Sequence, residues 1–199
     1  PTTALFSGID SEDMIPLGKN LKYFGDGYQI SKRINKRRFW RIPVMDGEFM
    51  VEETTGRVPA IGGGNFLLLA KNRASCLAAC EIAVDVMSKL DNIITPFPGG
   101  VVRSGSKVGS KYKALIASTN DAFCPSLSGI TGSKLAKNVN CVMEIVINGL
   151  TKDDIDKGIR NSLIAISKSN YKKDIVSVSA GNYGGKLGQH HFHLRKILK

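Results

Sequence analysis

From residue 60 onward the apolar residues change period in a fixed order, and this order restricts the fold more than any other feature of the 199-residue chain. Val58 to Ala70 is apolar, broken only by Gly62-Gly63-Gly64-Asn65, and suits a strand entering a buried sheet. Ser75 to Leu90 then repeats apolar residues at helical spacing in an Ala- and Leu-rich context. Asn92 to Ser110, with Pro96, Pro98 and several glycines, reads as a loop with short extended pieces. Tyr112 to Thr119 and the β-branched Asn138 to Ile147 read as strands. Thr151 with Asp153 and Asp154 forms a helix start whose stripe is Ile155, Ile159, Leu163 and Ile166. Ile175 to Ser179 and Leu187 to Leu194 read as the last strands. This βαββαβ order predicts an α+β fold, a ferredoxin-like α/β sandwich with a mostly antiparallel sheet. No GxGxxG joins a strand to a helix, which disfavours a doubly wound dinucleotide fold.

Ahead of this lobe the sequence predicts β-hairpins. Leu21, Tyr23 and Tyr28 to Ile30 flank Gly25-Asp26-Gly27, and Phe39 to Met45 and Glu48 to Glu53 flank Asp46-Gly47. A chain of this length can bury a core without disulfides, and its longest apolar run, about Ala60 to Ala70, falls far short of the ~20 residues of a bilayer helix. Pro1-Thr2-Thr3 shows neither a basic n-region nor an apolar h-region, so the expectation is a cytoplasmic protein whose Met has been removed, or a fragment. Cys76, Cys80, Cys124 and Cys141 form no CxxC pair and predict no metal site. Cys76 and Cys80 read as small buried thiols one helical turn apart.

Lys and Arg outnumber Asp and Glu by 28 to 17, and the net charge of +11 predicts a polyanionic partner without saying which. Six cations, Lys32, Arg33, Lys36, Arg37, Arg38 and Arg41, surround Phe39 and Trp40. Cations interleaved with aromatics are what a nucleic-acid surface uses, while a solvated hairpin loop between Ile30 and Phe39 is the plainer reading. Three glycine clusters could bring backbone close to a ligand or could be tight turns and bulges: Gly62 to Asn65, Pro98-Gly99-Gly100 running into Ser104-Gly105-Ser106-Lys107, and Ala180 to Lys186. Glu144 stands in the otherwise apolar strand Val142 to Ile147. Alternation can turn it to solvent, or into a cleft where desolvation raises its pKa and makes it a usable general acid or base. His190, His191 and His193 lie on the expected last strand without an acidic or Cys partner.

Several long strings go further. Ile42 to Phe49, Gly63 to Phe66, Ile94 to Val102, Ser104 to Gly109, Phe123-Cys124-Pro125 and Ser179 to Gly188 closely resemble the formylmethanofuran:tetrahydromethanopterin formyltransferases, and the match runs through the whole chain. Ser104 to Ser110 and Ser118 to Asp121 resemble the bacterial members, whereas the basic balance departs from many methanogen members. The resemblance implies a formyl group moved reversibly between N-formylmethanofuran and N5 of tetrahydromethanopterin. Both carriers act as substrates with anionic tails, and no bound cofactor or metal takes part. It implies residues 1–57 as the end of an N-terminal lobe with connecting hairpins, most of that lobe being absent, and residues 58–199 as the C-terminal ferredoxin-like lobe. The assembly it implies is a homo-oligomer or a subunit of a formyltransferase/hydrolase complex, with neither membrane nor nucleic acid as partner. Glu144 matches the family's acid/base carboxylate. The substrate-binding positions carried over are Gly63, Gly64, Asn65, Pro98, Gly99, Gly100, Ser104, Ser106, Lys107, Asn120, Asn182 and Tyr183. Backbone N–H groups and Asn or Lys side chains near Gly99-Gly100 or Asn65 are the expected oxyanion donors. A basic nucleic-acid-binding module is the alternative function.

Overall fold

The computed structural model describes residues 4–181 and 188–199, and the chain divides into two compact units, Pro1–Pro59 and Ala60–Lys199. The first unit contains β1 (Ala4–Leu5), β2 (Met14–Ile15), α1 (Leu17–Leu21), β3 (Ile30–Ile34), β4 (Arg37–Val44), β5 (Gly47–Glu52) and β6 (Thr55–Gly56). Its sheet runs β1-β5-β4-β3, with β2 and β6 forming a separate ribbon. Phe39, Ile42 and Val51 are buried within it.

The Asp46-Gly47 hairpin forms as expected, with Gly47 in the left-handed region (φ +90°) and Val44 paired to Gly47. The segment ahead of β3 departs from expectation. Leu21 ends α1, Lys22–Gly25 continue as a 3-10 turn, and Asp26 and Gly27 (φ +49° and +93°) reverse the chain. The reason lies at Gly18, where a Cβ would fall 2.1 Å from the Glu52 carbonyl oxygen. The missing side chain lets α1 lie directly on β5. The cationic run is likewise not a loop. It occupies β3 and β4 around a two-residue turn at Asn35 and Lys36, both left-handed (φ +48° and +69°), a geometry that matches strand twist.

The second unit contains β7 (Ile61–Ala70), α2 (Arg73–Ser88), β8 (Ile93–Ile94), β9 (Lys107–Val108), β10 (Ala117–Ser118), β11 (Cys141–Gly149), α3 (Lys152–Lys168), β12 (Ile175–Ser179) and α4 (Leu194–Ile197). Its main sheet runs β12-β7-β11-β8 with every pair antiparallel. Numbered from 1 to 4 in chain order, the strands stand 4-1-3-2, the ferredoxin-like arrangement of a βαββαβ chain. The second strand of that motif is β8, within the segment expected to be loop, and not Tyr112 to Thr119. Of the latter only Ala117–Ser118 is extended, paired with β9 in a two-stranded ribbon.

The expected last strand is also absent among the described residues. Residues 188–193 are irregular and Leu194–Ile197 is helical. Phe192 and Ile197 enter the helix-side core instead, Phe192 closing on Gly64, where a Cβ would meet its ring at 3.3 Å.

Alternation along the central strands assigns the two faces. Phe66, Leu68, Ala70, Met143, Ile145 and Ile147 pack beneath α2 and α3 with Ile155, Ile159, Leu163 and Ile166. Leu67 and Leu69 face the other way, against Val139, Phe123, Leu135, Val142 and Val176. Both faces are therefore covered, which is why β7 and β11 read as nearly continuous apolar runs.

Candidate functional site

Covering a sheet face with the long 101–140 segment buries whatever polar side chain the strand period directs there. On β11 that side chain is Glu144, 5% exposed, and on β7 it is Asn65, 7% exposed. Glu144 is registered opposite Leu67, and Val146 opposite Asn65, so the two polar residues are diagonal neighbours on one face. Asn65 Nδ2 donates to Glu144 Oε1 (2.5 Å). The amide is itself fixed, because its Oδ1 accepts from the Gly181 backbone N–H (2.8 Å). A Cβ on Gly181 would lie 2.6 Å from Asn65 Nδ2, so only glycine allows this approach. The Glu144 backbone exchanges two hydrogen bonds with Val102 (2.7 and 2.9 Å), fastening the covering segment over the carboxyl. Burial pushes the Glu144 carboxyl above the usual glutamate range, opposed by the Asn65 hydrogen bond.

Glu144 opens into a pocket of about 390 Å³ lined also by Arg73, Arg103, Ser104, Asn120, Cys124 and Cys141. Of the expected site residues, Ser104 and Asn120 join Glu144 there. Gly63, Gly64 and Asn65 instead line a second cleft of about 410 Å³, with Gly181, Gln189, His190 and Phe192. The Asn65–Glu144 pair thus spans the wall between the two. Gly63 is left-handed (φ +80°), and its N–H donates to Asn148 Oδ1 (2.9 Å).

Pro98, Gly99 and Gly100 line neither of these clefts. They form a 3-10 turn in which Gly100 (φ +72°) packs on α2, a Cβ there falling 2.6 Å from Val84. Lys107 is engaged by Asp121 in an ion pair, and Ser106 lines neither cleft. Asn182 and Tyr183 lie outside the described residues.

The pocket also holds residues to which sequence reasoning gave no site role: Arg73, Arg103, Asn140, Cys141 and Cys124, the last within a string that carries the family resemblance. Arg103 stands directly before the Ser104 string and Arg73 directly after the Asn72 helix cap, which are the only signals that point to them. Neither arginine forms an ion pair among the described residues. Burial raises the Cys141 thiol to about 11 although both arginines favour its thiolate. Hydrogen bonding to Cys80 and burial hold the Cys76 thiol protonated in the core. Among the described residues no group of three His, Cys, Asp or Glu could hold a metal ion, and no helix is long and apolar enough to cross a membrane.

Residues 47–197 match the family described as the proximal lobe of FTR, and residues 1–44 match formylmethanofuran-tetrahydromethanopterin formyltransferase. A formylmethanofuran–tetrahydromethanopterin formyltransferase of Methylobacillus flagellatus is 61% identical, with all of this chain and 67% of that protein covered. Among solved structures, the formyltransferase/hydrolase complex of Methylorubrum extorquens with methylofuran aligns at TM-score 0.78 and 46% identity, covering 96% of this chain and 64% of that one. The formyltransferase of Methanosarcina barkeri aligns at 0.74 and 40%, covering 94% and 63%. The chain spans about two thirds of the length of the curated relatives it matches.

Proposed function

The chain belongs to the formylmethanofuran–tetrahydromethanopterin formyltransferase family, and from that premise we propose that it carries the acid/base half of a reversible formyl transfer between N-formylmethanofuran and N5 of tetrahydromethanopterin. The observation that supports this is the buried Glu144 carboxyl, held by Asn65 and facing a pocket large enough for a reacting group. N5 attacks the formyl carbon, the new C–N bond forms, and the carbonyl becomes a tetrahedral oxyanion. Glu144 takes the proton released from N5. As the bond to the methanofuran nitrogen breaks, the same proton goes to the departing amine and the carbonyl re-forms. The exchange is redox-neutral and balances within the two carriers, so the reading invokes no bound cofactor.

The raised pKa of Glu144 suits this work, since a group that both accepts and returns a proton performs best near the working pH. Ser104 and Asn120 offer polar contacts in the pocket, while Arg73 and Arg103, which also line it, suit substrates with anionic tails. We take residues 58–199 as the C-terminal ferredoxin-like lobe and residues 1–57 as the end of the preceding one. On this reading the protein is cytoplasmic and works as a homo-oligomer or within a formyltransferase/hydrolase complex like its Methylorubrum relative. The similarity to formyltransferases supports this reading and not the nucleic-acid module. Within the cationic run, Arg37, Arg38 and Arg41 pair with Glu52, Glu53 and Glu48 and are not left as a phosphate-binding stripe.

Formyl transfer followed optically, in the protein expressed at the full length of its relatives, tests the reading. Glu144→Gln should lower kcat by about two orders of magnitude, within the ~10²–10⁴-fold range of general acid/base catalysis. An unchanged kcat would remove Glu144 from the mechanism.

A further inference from the structure

Asn65 reads in sequence as a substrate-binding or oxyanion residue, yet its amide is committed to the protein on both sides. Oδ1 accepts from the Gly181 N–H, and Nδ2 donates to Glu144 Oε1. The first bond decides the second, because an amide whose oxygen faces a backbone donor must present its NH₂ to the carboxyl. No described residue hydrogen-bonds Glu144 Oε2, and the carboxyl lines the pocket of about 390 Å³. The two oxygens are therefore unequal. The carbonyl oxygen of a protonated carboxyl is its stronger acceptor, so the Asn65 N–H at Oε1 favours the proton on Oε2.

We propose that Asn65 is a positioning residue for Glu144: held by Gly181, it fixes the carboxyl so that the proton resides on Oε2, the oxygen that Asn65 leaves unbonded. This rests on the acid/base role proposed for Glu144. Gly181 belongs to the same device, because any side chain at 181 collides with the Asn65 amide. The other charged or titratable groups around the pocket are Arg73 from α2, Arg103, Cys124 and Cys141, and none of them hydrogen-bonds the carboxyl. Asn65 is thus the one described side chain that orients it.

The test uses two variants in the protein at the full length of its relatives. The nearly isosteric Asn65→Asp replaces the donor by a second carboxyl, and Asn65→Ala removes it without adding charge. In both, the titration midpoint of Glu144, read by carbon NMR of labelled glutamate with Glu144→Gln identifying the signal, should move to higher pH. A like charge disfavours ionisation in the first variant, and a lost hydrogen bond to the charged form does so in the second. The kcat should fall by about 10²-fold, the loss expected of a misplaced catalytic group, with KM little changed and the pH profile displaced in the same direction as the midpoint. Asn65→Ala combined with Glu144→Gln should be no slower than Glu144→Gln alone, because the two act as a unit.

A second full loss in the double variant would mean that Asn65 acts on the substrate itself and would overturn the proposal. An unmoved midpoint in both single variants would overturn it whatever the kinetics show. If Glu144→Gln retains full kcat, the proton-transfer reading fails, and the midpoint measurement still decides whether Asn65 controls the carboxyl.

Discussion

A carboxyl buried beside an amide alters stability as well as chemistry, and at Glu144 the sign follows from the direction of its shift. Burial raises its folded-state pKa above the unfolded value. The folded chain then binds the proton more tightly than the unfolded one. The stabilisation this brings is fully present below the unfolded pKa, in the ordinary glutamate range near 4.5, and is lost as pH rises through the folded value. Glu144→Gln keeps the shape and removes the titration. The native protein should therefore lose stability relative to Glu144→Gln as pH rises from that range, with parallel curves below it. Denaturant unfolding of both proteins across pH checks this, and a constant difference at every pH would show that burial does not penalise the carboxylate. Gly100→Ala belongs to the same scale. It places a methyl group within 2.6 Å of Val84 at φ +72°, so it should destabilise the fold by about 1–3 kcal/mol through overpacking and backbone strain while leaving KM unchanged.

Among the elements, α3 is the one whose start the sequence specifies most completely. The Thr151 side chain accepts from the Asp154 N–H, and the Asp154 side chain accepts from the Thr151 N–H, closing a capping box over two acids in the first turn. Thr151→Ala should cost about 1 kcal/mol, seen as a lower urea midpoint with an unchanged slope. The same local chemistry made α2, α3, β12 and the Asp46-Gly47 hairpin readable, since caps, a sustained 3.6-residue period and turn residues are all properties of neighbours in sequence. Elements defined by distant partners were not readable. Ile93–Ile94 is a strand only because Asn148 and Gly149 pair with it. Leu17–Leu21 is helical where Gly18 meets Glu52, and the C-terminal residues follow Phe192 and Ile197 into the core. The candidate site divides in the same way. Glu144 stood out as the lone acid in an apolar strand, but its partnership with Asn65 depends on the register of β7 and β11, and the glycine clusters separated into a cleft wall at 62–65 and a packing turn at 98–100.

For the molecule as a whole, the excess of cations must act through geometry, because charge that is paired locally attracts no substrate. The first unit spends much of its charge internally: Arg37, Arg38, Arg41 and Arg57 all face carboxylates. In the second unit Arg73 and Arg103 stand at the pocket that holds Glu144 and face none among the described residues. With a net charge of +11, the chain should draw anionic substrates toward that pocket over roughly a Debye length, about 10 Å at 0.1 M salt. Such attraction acts on encounter and binding and not on the proton transfer proposed at Glu144. Raising ionic strength from about 0.05 to 0.5 M should therefore increase KM several-fold and leave kcat nearly constant. Arg103→Ala should raise KM at low salt and flatten its dependence on salt, while Lys89→Ala, at a cation of the same unit that pairs with Asp85 and does not line the pocket, should alter neither. Steady-state kinetics of the three proteins at several salt concentrations decide the matter. Equal salt slopes in all three would mean that net charge, not the arginines at the pocket, brings the substrate in.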